Sequence, residues 1–279
     1  MTAHSPLLTR RSFVAAGACA AAALACGSAS SLVGCASETQ QESAPEPEPY
    51  VCPYNWEGLV RDGDKLAYYE GDQLRSRWGI DVSEHQGFID WAAVAQAGVQ
   101  FAFVRVGNRG ATEGVLGIDE YFEYNAANVT AAGIEASAYF FSQSINEDEA
   151  REEAAFAIEQ LRAAEVNGAH FTALAYDHEP VEIEGARAND LSRDQFTANA
   201  LAFCEEVAKA GYQPLLYGNQ KDLLLLTPEA RVAYPVWLAE YDVPNPTAQM
   251  DYVLWQYTNA GTVAGIDTPV DLNLWLEAK

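Results

Sequence analysis

The stretch GIDVSEHQGFIDWAAVAQAGVQFAFVRVG, residues 79–107, predicts a strand, a helix and a second strand in close succession. A short apolar strand at 80–82 leads to Asp90, whose carboxylate can cap a helix that Gly98 is suited to end. The run FAFVRV, 101–106, then follows as an almost continuously apolar strand. Such strands are typical of parallel sheets that are buried on both faces. This stretch therefore predicts a β–α–β unit.

The same alternation of strand and helix continues to residue 218. Each further strand is a short apolar run, and each helix follows a residue that can cap its N-terminus. The predicted strands are ASAYFF (136–141), FTALAY (171–176) and PLLYG (214–218), and the predicted helices begin at Asp119, at Ser144 or Asn146, and at Ser192.

After residue 218 the pattern changes, because three strand-like runs follow with no full helix between them. About eight strands, with helices around only the first five, predict an α/β fold of the irregular TIM-like β/α barrel type rather than an open doubly wound sheet. No Gly-x-Gly-x-x-Gly sequence follows the first strand, so nothing indicates a dinucleotide cofactor. The three late runs are YPVWLAEY (234–241), YVLWQYT (252–258) and VDLNLW (270–275).

Residues 1–34 are predicted to form an export signal rather than part of the fold. Arg10 and Arg11 form a twin-arginine pair, and an apolar run without charges follows them. The run ends in LVGC, residues 32–35, which looks like the lipobox of bacterial lipoproteins, so we expect lipidation of Cys35. An ordinary secretory signal cleaved elsewhere and a retained membrane helix are the alternatives. Lipidation predicts an exported, membrane-anchored protein at the outer face of the cytoplasmic membrane or in the cell wall.

Two segments separate this signal from the barrel. The first is rich in Pro, Glu, Ser and Gln and lacks large apolar side chains, which predicts a disordered tether. The second alternates apolar and polar residues around Asp62-Gly63 and Glu70-Gly71, which predicts a small β-hairpin extension packed on the barrel. The predicted boundaries are a signal peptide at 1–34, a tether at 35–51, a hairpin extension at 52–77 and the barrel at 78–279.

The net charge and the cysteines indicate which ligands and partners are not expected for this protein. A net charge of −24 argues against nucleic acid, whose phosphates attract Lys and Arg. No Cys-x-x-Cys pair or His/Cys cluster indicates a metal, and we expect neither a metal nor another cofactor. Cys52 and Cys204 could pair, but Cys204 lies on the apolar face of a predicted helix, which favours a buried free thiol. We expect a monomer.

Acidic residues gather where the predicted barrel strands end, and enzymes of this architecture carry their chemistry there. In the run ALAYDHEP, Asp177 and Glu179 share one face of the strand while His178 points to the other. Asp81 in the first strand and Asp271 in the last are expected in the same mouth. Crowding of four carboxyl groups raises at least one pKa, and an acid that stays protonated near neutral pH can donate to a leaving oxygen.

Aromatic side chains on the same rim offer flat faces for sugar rings, so the combination predicts a glycosidase. Each feature alone has a plainer structural explanation, since Asp81 can cap a turn, Asp271 can be solvated and most of the aromatics can be core. Arg105, inside an apolar strand, is expected to be the buried partner of a carboxylate. The candidate substrate-binding residues are Tyr139, Phe141, Tyr217, Trp237, Tyr241 and Gln256.

Several blocks of the sequence resemble glycoside hydrolase family 25, the lysozymes first met in fungi and phage. The stretch 79–107 is similar to the opening of the family, where the Asp of the first strand is followed by Val-Ser, then Gln-Gly, then Asp-Trp. The likeness extends in order over roughly residues 78–276 and does not cover the signal, tether or hairpin. The further blocks are DEYFEYNAANVTAAGIEASAYFF, ALAYDHE, VWLAEY, LWQYT and GIDTPVDLN.

The resemblance implies an irregular barrel of five βα units and three further strands. It also implies cleavage of the β-1,4 bond between N-acetylmuramic acid and N-acetylglucosamine in peptidoglycan. By the matching motifs, Glu179 would be the general acid, and Asp177 would steady a charged intermediate formed by the N-acetyl group of the substrate or by a protein carboxylate. Asp81 and Asp271 would orient substrate or tune a pKa. The His-Glu-Pro run departs from the family pattern, and Pro180 is expected to reshape the following loop.

Two other functions remain open from the sequence. A non-catalytic lipoprotein could bind peptidoglycan with the same barrel, although the presence of all four carboxylates weighs against this alternative. A hydrolase of another N-acetylated glycan, such as chitin, would keep the mechanism and change the substrate.

Overall fold

The computed structural model describes residues 49–277 of the chain. The predicted signal peptide, the lipidation site Cys35 and most of the tether lie outside the described residues. Tyr50, which the sequence places in the tether, already contacts the folded body, since its hydroxyl donates a hydrogen bond to the carbonyl of Met250 at 2.8 Å. Among residues 49–277, no helix combines the length and the apolarity needed to cross a membrane.

A three-stranded antiparallel sheet opens the described chain, in the region where the sequence predicts a hairpin. Strands β1 (Leu59–Asp62) and β2 (Lys65–Glu70) form this hairpin around Gly63, whose positive φ of 59° suits a tight turn. Strand β3 (Gln73–Leu74) then pairs with β2. A short 3₁₀ helix at Trp56–Gly58 precedes the sheet.

The centre of the molecule is a closed barrel of eight strands, as the sequence predicts. These strands are β4 (Ser76–Val82), β5 (Phe101–Arg109), β7 (Glu135–Phe141), β8 (Phe171–Asp177), β9 (Gln213–Asn219), β10 (Val236–Ala239), β11 (Leu254–Gly261) and β12 (Val270–Leu276). Pairing of β4 with both β5 and β12 closes the ring. A further strand, β6 (Leu116–Ile118), pairs with β5 outside the ring.

The last strand runs against the direction that a wholly parallel barrel predicts. The ring strands from β4 to β11 pair in parallel, whereas β12 is antiparallel to both β11 and β4. A parallel partner needs a crossover of about a dozen or more residues, and the connection 262–269 is shorter and contains no helix. The N-terminal end of β12 therefore lies beside the C-terminal ends of its neighbours.

Helices cover only part of the barrel, as the sequence predicts. Asp90, Asn146 and Ser192 accept hydrogen bonds from backbone amides in the first turns of α1, α3 and α4 respectively, and these caps set where the three helices begin. The two helices after β9 are short. The helices are α1 (Trp91–Gln96), α2 (Phe122–Ala131), α3 (Glu147–Val166), α4 (Arg193–Ala210), α5 (Gln220–Leu223) and α6 (Pro228–Ala233).

The N-terminal sheet covers a side of the barrel that has no helices. Trp78 of β4 and Trp255 of β11 belong to the outer core, and the ring of Trp56 packs 5.9 Å from that of Trp255. The indole of Trp78 donates to the hydroxyl of Tyr257 at 2.7 Å, and Tyr68 is buried in the same cluster. The sheet thus buries apolar strand surface that helices bury elsewhere, in line with the expected packing of the hairpin.

A separate apolar cluster fills the interior of the barrel. The ring of Trp237 lies 4.4 Å from that of Phe103 and 4.7 Å from that of Tyr217, measured between centroids. The interior is therefore a packed core, and polar groups collect above it at the mouth.

Both cysteines of the described chain are free thiols. Cys204 is buried in the outer core, as expected, and its burial raises the pKa of the thiol well above the ordinary value. Cys52 is half-buried beside the hydroxyl of Tyr252, 4.0 Å from its sulfur.

Candidate active site

Asp81 lies in β4 with only 2% of its surface exposed. Its Oδ2 atom accepts hydrogen bonds from Gln256 Nε2 at 2.6 Å and from Asn273 Nδ2 at 2.8 Å. We call Asp81, Gln256 and Asn273 the amide clamp. The clamp joins β4, β11 and β12, so it depends on the antiparallel strand that closes the ring. Its two amide donors match an ionised carboxylate, because that group only accepts hydrogen bonds.

Aromatic donors fix the orientation of both amides in the clamp. The indole Nε1 of Trp237 donates to Oδ1 of Asn273 at 2.8 Å. An indole N–H can only donate, so the NH₂ group of Asn273 must face the carboxylate. The hydroxyl of Tyr217 donates to Oε1 of Gln256 at 2.8 Å, and the hydroxyl of Tyr241 donates to the same atom. The clamp is therefore supported by neutral donors, of which Trp237 and Tyr217 are buried and Tyr241 is half-buried.

Asp271 stands opposite Asp81 in the register between β12 and β4. Side chains alternate along a strand, so Asp271 shares a face with Asn273 and faces the barrel mouth. It is half-buried. The register thus brings together Asp81 and Asp271, which lie near opposite ends of the barrel sequence. It can do so because β12 begins at the mouth, whereas the parallel strands end there.

Asp177 follows the alternation predicted for the end of β8. Ala173 and Ala175 belong to the interior cluster, so Asp177 points to the same side, and it is 1% exposed. Glu179 lies two residues further and is half-buried. The residue between them, His178, packs outside the barrel.

The imidazole of His178 stacks 6.3 Å from the ring of Tyr176 and meets Phe196 edge-on at 5.0 Å. Burial lowers the pKa of His178 to about 4, so the side chain is neutral near pH 7. His178 therefore fills a structural role, as the alternation predicts. In the part of the chain that the structure describes, no group of three or more His, Cys, Asp and Glu residues could hold a metal ion.

The six predicted substrate-binding residues divide by exposure. Phe141 and Tyr241 are half-buried and keep surface at the mouth. The other four are buried and have little surface to offer a sugar ring. Their exposed fractions are 4% for Tyr139, 7% for Tyr217, 1% for Trp237 and 0% for Gln256.

Two features of the site go beyond the predicted residues. Asn273 is absent from the predicted set, although alternation from Asp271 places it on the same face of the strand. Arg105 pairs with Asp119 at 2.8 Å, as expected for a buried strand arginine, and also with Glu84 at 2.9 Å. Helix α2 begins at Phe122 and not at the predicted Asp119, whose Oδ1 accepts the backbone N–H of Tyr121 at 2.9 Å and whose Oδ2 accepts the backbone N–H of Glu84 at 2.8 Å. These contacts hold the turn after β4 at the mouth.

Comparison with known proteins supports the fold and assigns the family. Lysozyme M1 of Streptomyces globisporus is 29% identical over 70% of this chain and 66% of its own length. The autolytic lysozyme of Clostridium acetobutylicum is 26% identical over 71% of this chain and 56% of its own length. The chain thus spans roughly three fifths of the length of these two relatives.

Solved structures share the same barrel. The bacterial lysozyme of Streptomyces coelicolor superposes with a TM-score of 0.56 at 25% identity, over 71% of this chain and 90% of that one. The spore cortex lytic enzyme SleM of Clostridium perfringens gives a TM-score of 0.61 at 23% identity, over 72% of this chain and 67% of that one. The sequence model of glycosyl hydrolases family 25 matches residues 80–266, which is more than half of the chain. This protein therefore belongs to glycosyl hydrolase family 25.

Proposed function

We propose that this protein is a peptidoglycan hydrolase that cleaves the β-1,4 bond between N-acetylmuramic acid and N-acetylglucosamine. Family membership supports a glycosidase, and two of its relatives are named lysozyme M1 and autolytic lysozyme. The strongly negative charge fits a target other than nucleic acid.

The convergence of acids at one mouth is the observation that carries the proposal. Asp81 and Asp271 pair in register, and Asp177 points to the interior from the end of β8, with Glu179 two residues beyond it. The proposed reaction requires that one of these carboxyl groups carries a proton when the substrate binds. Paired carboxyl groups of this kind carry out acid-assisted cleavage of glycosidic bonds.

In the proposed reaction, Glu179 donates its proton to the glycosidic oxygen, and the bond from that oxygen to the anomeric carbon breaks. Asp177 stabilises the positive charge that develops on the sugar or on its N-acetyl group. Water then adds its oxygen to the anomeric carbon and returns a proton to Glu179. Asp81, held by its two amide donors, and Asp271 orient the sugar in the mouth.

Exposed aromatic surface supplies the proposed sugar contacts. Phe141 and Tyr241 are half-buried, and the surface that they keep supports a role in stacking on sugar rings. Tyr139, Tyr217, Trp237 and Gln256 act behind them as the wall and as supports of the amide clamp.

We also propose that the protein is exported and anchored to the membrane by lipid on Cys35, with peptidoglycan as its partner. The twin arginines and the LVGC sequence support this location. The described residues contain all four acids in one chain, which supports action as a monomer. Replacement of Cys35 by Ser should release the protein from the membrane fraction, and retention there would contradict the anchor.

The test of the reaction compares Glu179→Gln with the wild-type protein on purified peptidoglycan, with release of reducing ends as the readout. Loss of one general acid lowers a rate on the order of 10²–10⁴-fold, and we expect a fall of this size. Glu159→Gln, an exposed position in α3, makes the same chemical change away from the mouth and should keep full activity. Wild-type turnover by Glu179→Gln would reject the assignment. Binding of peptidoglycan without any release by the wild type would favour the non-catalytic alternative.

A further inference from the structure

A buried charged cluster lies behind the proposed acid and takes no part in the proposed reaction. We define the Glu153 cluster as Arg109, Ser142, Gln143 and Glu153. Glu153 and Gln143 are 0% exposed, and Arg109 is 4% exposed. Arg109 comes from the end of β5 and Glu153 from helix α3, while Ser142 and Gln143 directly follow β7. A buried ionisable group is costly unless paired, so this cluster needs a structural or functional reason.

Glu153 uses both carboxyl oxygens to hold the other three residues. Its Oε1 accepts from Arg109 Nε at 2.8 Å and from the backbone N–H of Gln143 at 3.2 Å. Its Oε2 accepts from the hydroxyl of Ser142 at 2.6 Å. Residues 142 and 143 are therefore held from α3 by two hydrogen bonds to Glu153, whose carboxyl group the guanidinium of Arg109 holds in turn.

The fixed peptide in turn holds the two residues that carry the proposed chemistry. The backbone N–H of Ser142 donates to the carbonyl of Asp177 at 2.7 Å. The side-chain Nε2 of Gln143 donates to the carbonyl of Glu179 at 2.9 Å and to the carbonyl of Ser142 at the same distance. Consecutive residues after β7 thus support both acids at the end of β8.

We propose that Gln143, fixed by Glu153 and Arg109, is a positioning residue that sets where the carboxyl group of Glu179 stands. The proposal rests on the proposed function for its kinetic consequence, but the position of Glu179 can be measured without it. Glu179 lies beyond the last paired residue of β8, so the ladder of the sheet does not fix its backbone. The hydrogen bond from Gln143 fixes it instead.

A displaced acid loses rate even when substrate still binds. A misplacement of about 1 Å at a reacting group can cost on the order of 10²-fold in rate, because the productive geometry is narrow. A residue that acts only through the position of the acid should therefore lower kcat and leave KM nearly unchanged. A residue that serves stability alone should lower the melting temperature and leave kcat unchanged.

The test is Gln143→Met, which keeps the length of the side chain and removes both donors of the amide. We expect kcat on soluble peptidoglycan fragments to fall about 10- to 100-fold, with KM within about twofold. Crystal structures of the wild type and of Gln143→Met should show the Glu179 carboxyl group displaced by about 1 Å between the two proteins. The matched control is Asn125→Leu, which removes another fully buried amide. Asn125 lies in α2, and its Oδ1 accepts a hydrogen bond from the indole Nε1 of Trp91 at 3.1 Å. This control should lose stability and keep kcat.

Three results would overturn the proposal. They are wild-type kcat in Gln143→Met, a fall no larger than that of Asn125→Leu, and an undisplaced Glu179 in the crystal structure. If the wild type shows no turnover, the proposed reaction fails, and the position of Glu179 in the two crystal structures still decides the role of Gln143. Should Gln143→Met not fold, Glu153→Gln loosens the same peptide from its other side and is judged by the same two measurements.

Discussion

The amide clamp and the Glu153 cluster hold two carboxylic acids of one mouth in different ways. Asp81 is held by its own carboxylate, through the neutral amides of Gln256 and Asn273. Glu179 is held by its backbone carbonyl, through Gln143 and a charged pair behind it. Donors on a carboxylate favour its charged form, whereas a donor on the backbone fixes position without adding donors to the acid. The first arrangement acts on the carboxylate itself, and the second acts on the backbone from which the carboxyl group extends.

Among the predictions that test this difference, Asp81→Asn has the largest expected effect, which is on activity. Both clamp donors reach the same oxygen, Oδ2, so an amide oxygen can take its place and keep both hydrogen bonds. We therefore expect activity to fall about 10²-fold from loss of the negative charge, with the free energy of unfolding changed by less than about 1 kcal/mol. Reducing-end release and chemical denaturation measure the two quantities.

Asp81→Ala is the control for the clamp itself, because it leaves both amide donors without an acceptor. Each buried donor left unpaired costs about 1–3 kcal/mol, so this variant should be clearly less stable than Asp81→Asn. Equal stability of the two variants would mean that the clamp does not hold Asp81 as described.

A smaller expected effect is the pH dependence of stability that comes from Glu153, which pairs with Arg109 behind Glu179. Burial raises the pKa of Glu153 to about 7, against the hydrogen bonds from Ser142 and Arg109 that lower it. A raised carboxyl pKa contributes stability that is fully present below the unfolded value, near 4.5, and is lost as pH rises through about 7. The neighbours that share this pocket are Arg109 and Glu149 and the phenol of Tyr176, whose pKa is raised by burial and then by Glu153.

The difference in unfolding free energy between wild type and Glu153→Gln isolates this effect. We expect it to shift against the wild type between pH 4.5 and pH 7, by up to about 3 kcal/mol, since one pKa unit corresponds to about 1.4 kcal/mol. Urea unfolding at several pH values measures it. A difference that stays constant with pH, or that shifts in favour of the wild type, would contradict the assignment of this titration to Glu153.

Short-range features of the site could be predicted from the sequence. The apolar runs mark the eight strands, and alternation alone separates Asp177 from His178. The apolar pattern does not give the direction of β12, because it is the same for parallel and antiparallel neighbours, although the short connection 262–269 constrains it. Helix α2 begins at Phe122, three residues after the predicted Asp119, because an apolar pattern does not define the end of a helix to the residue.

The amide clamp and the Glu153 cluster could not be predicted, because both depend on tertiary packing. The clamp joins Asp81 to residues near the other end of the chain. The sequence suggests that Gln256 contacts the sugar, and only its burial indicates that it supports Asp81 instead. Glu153 lies on an acidic helix and differs from its exposed neighbour Glu152 only in the side of the helix that it occupies. No local pattern distinguishes Gln143 from an ordinary polar loop residue.

The most direct test of the whole account is mass spectrometry of the products that the wild-type protein releases from purified peptidoglycan. The account predicts disaccharide fragments with N-acetylmuramic acid at the new reducing end, and their disappearance with Glu179→Gln. Products with N-acetylglucosamine at the new reducing end, release from chitin but not from peptidoglycan, or undiminished release by the variant would contradict it.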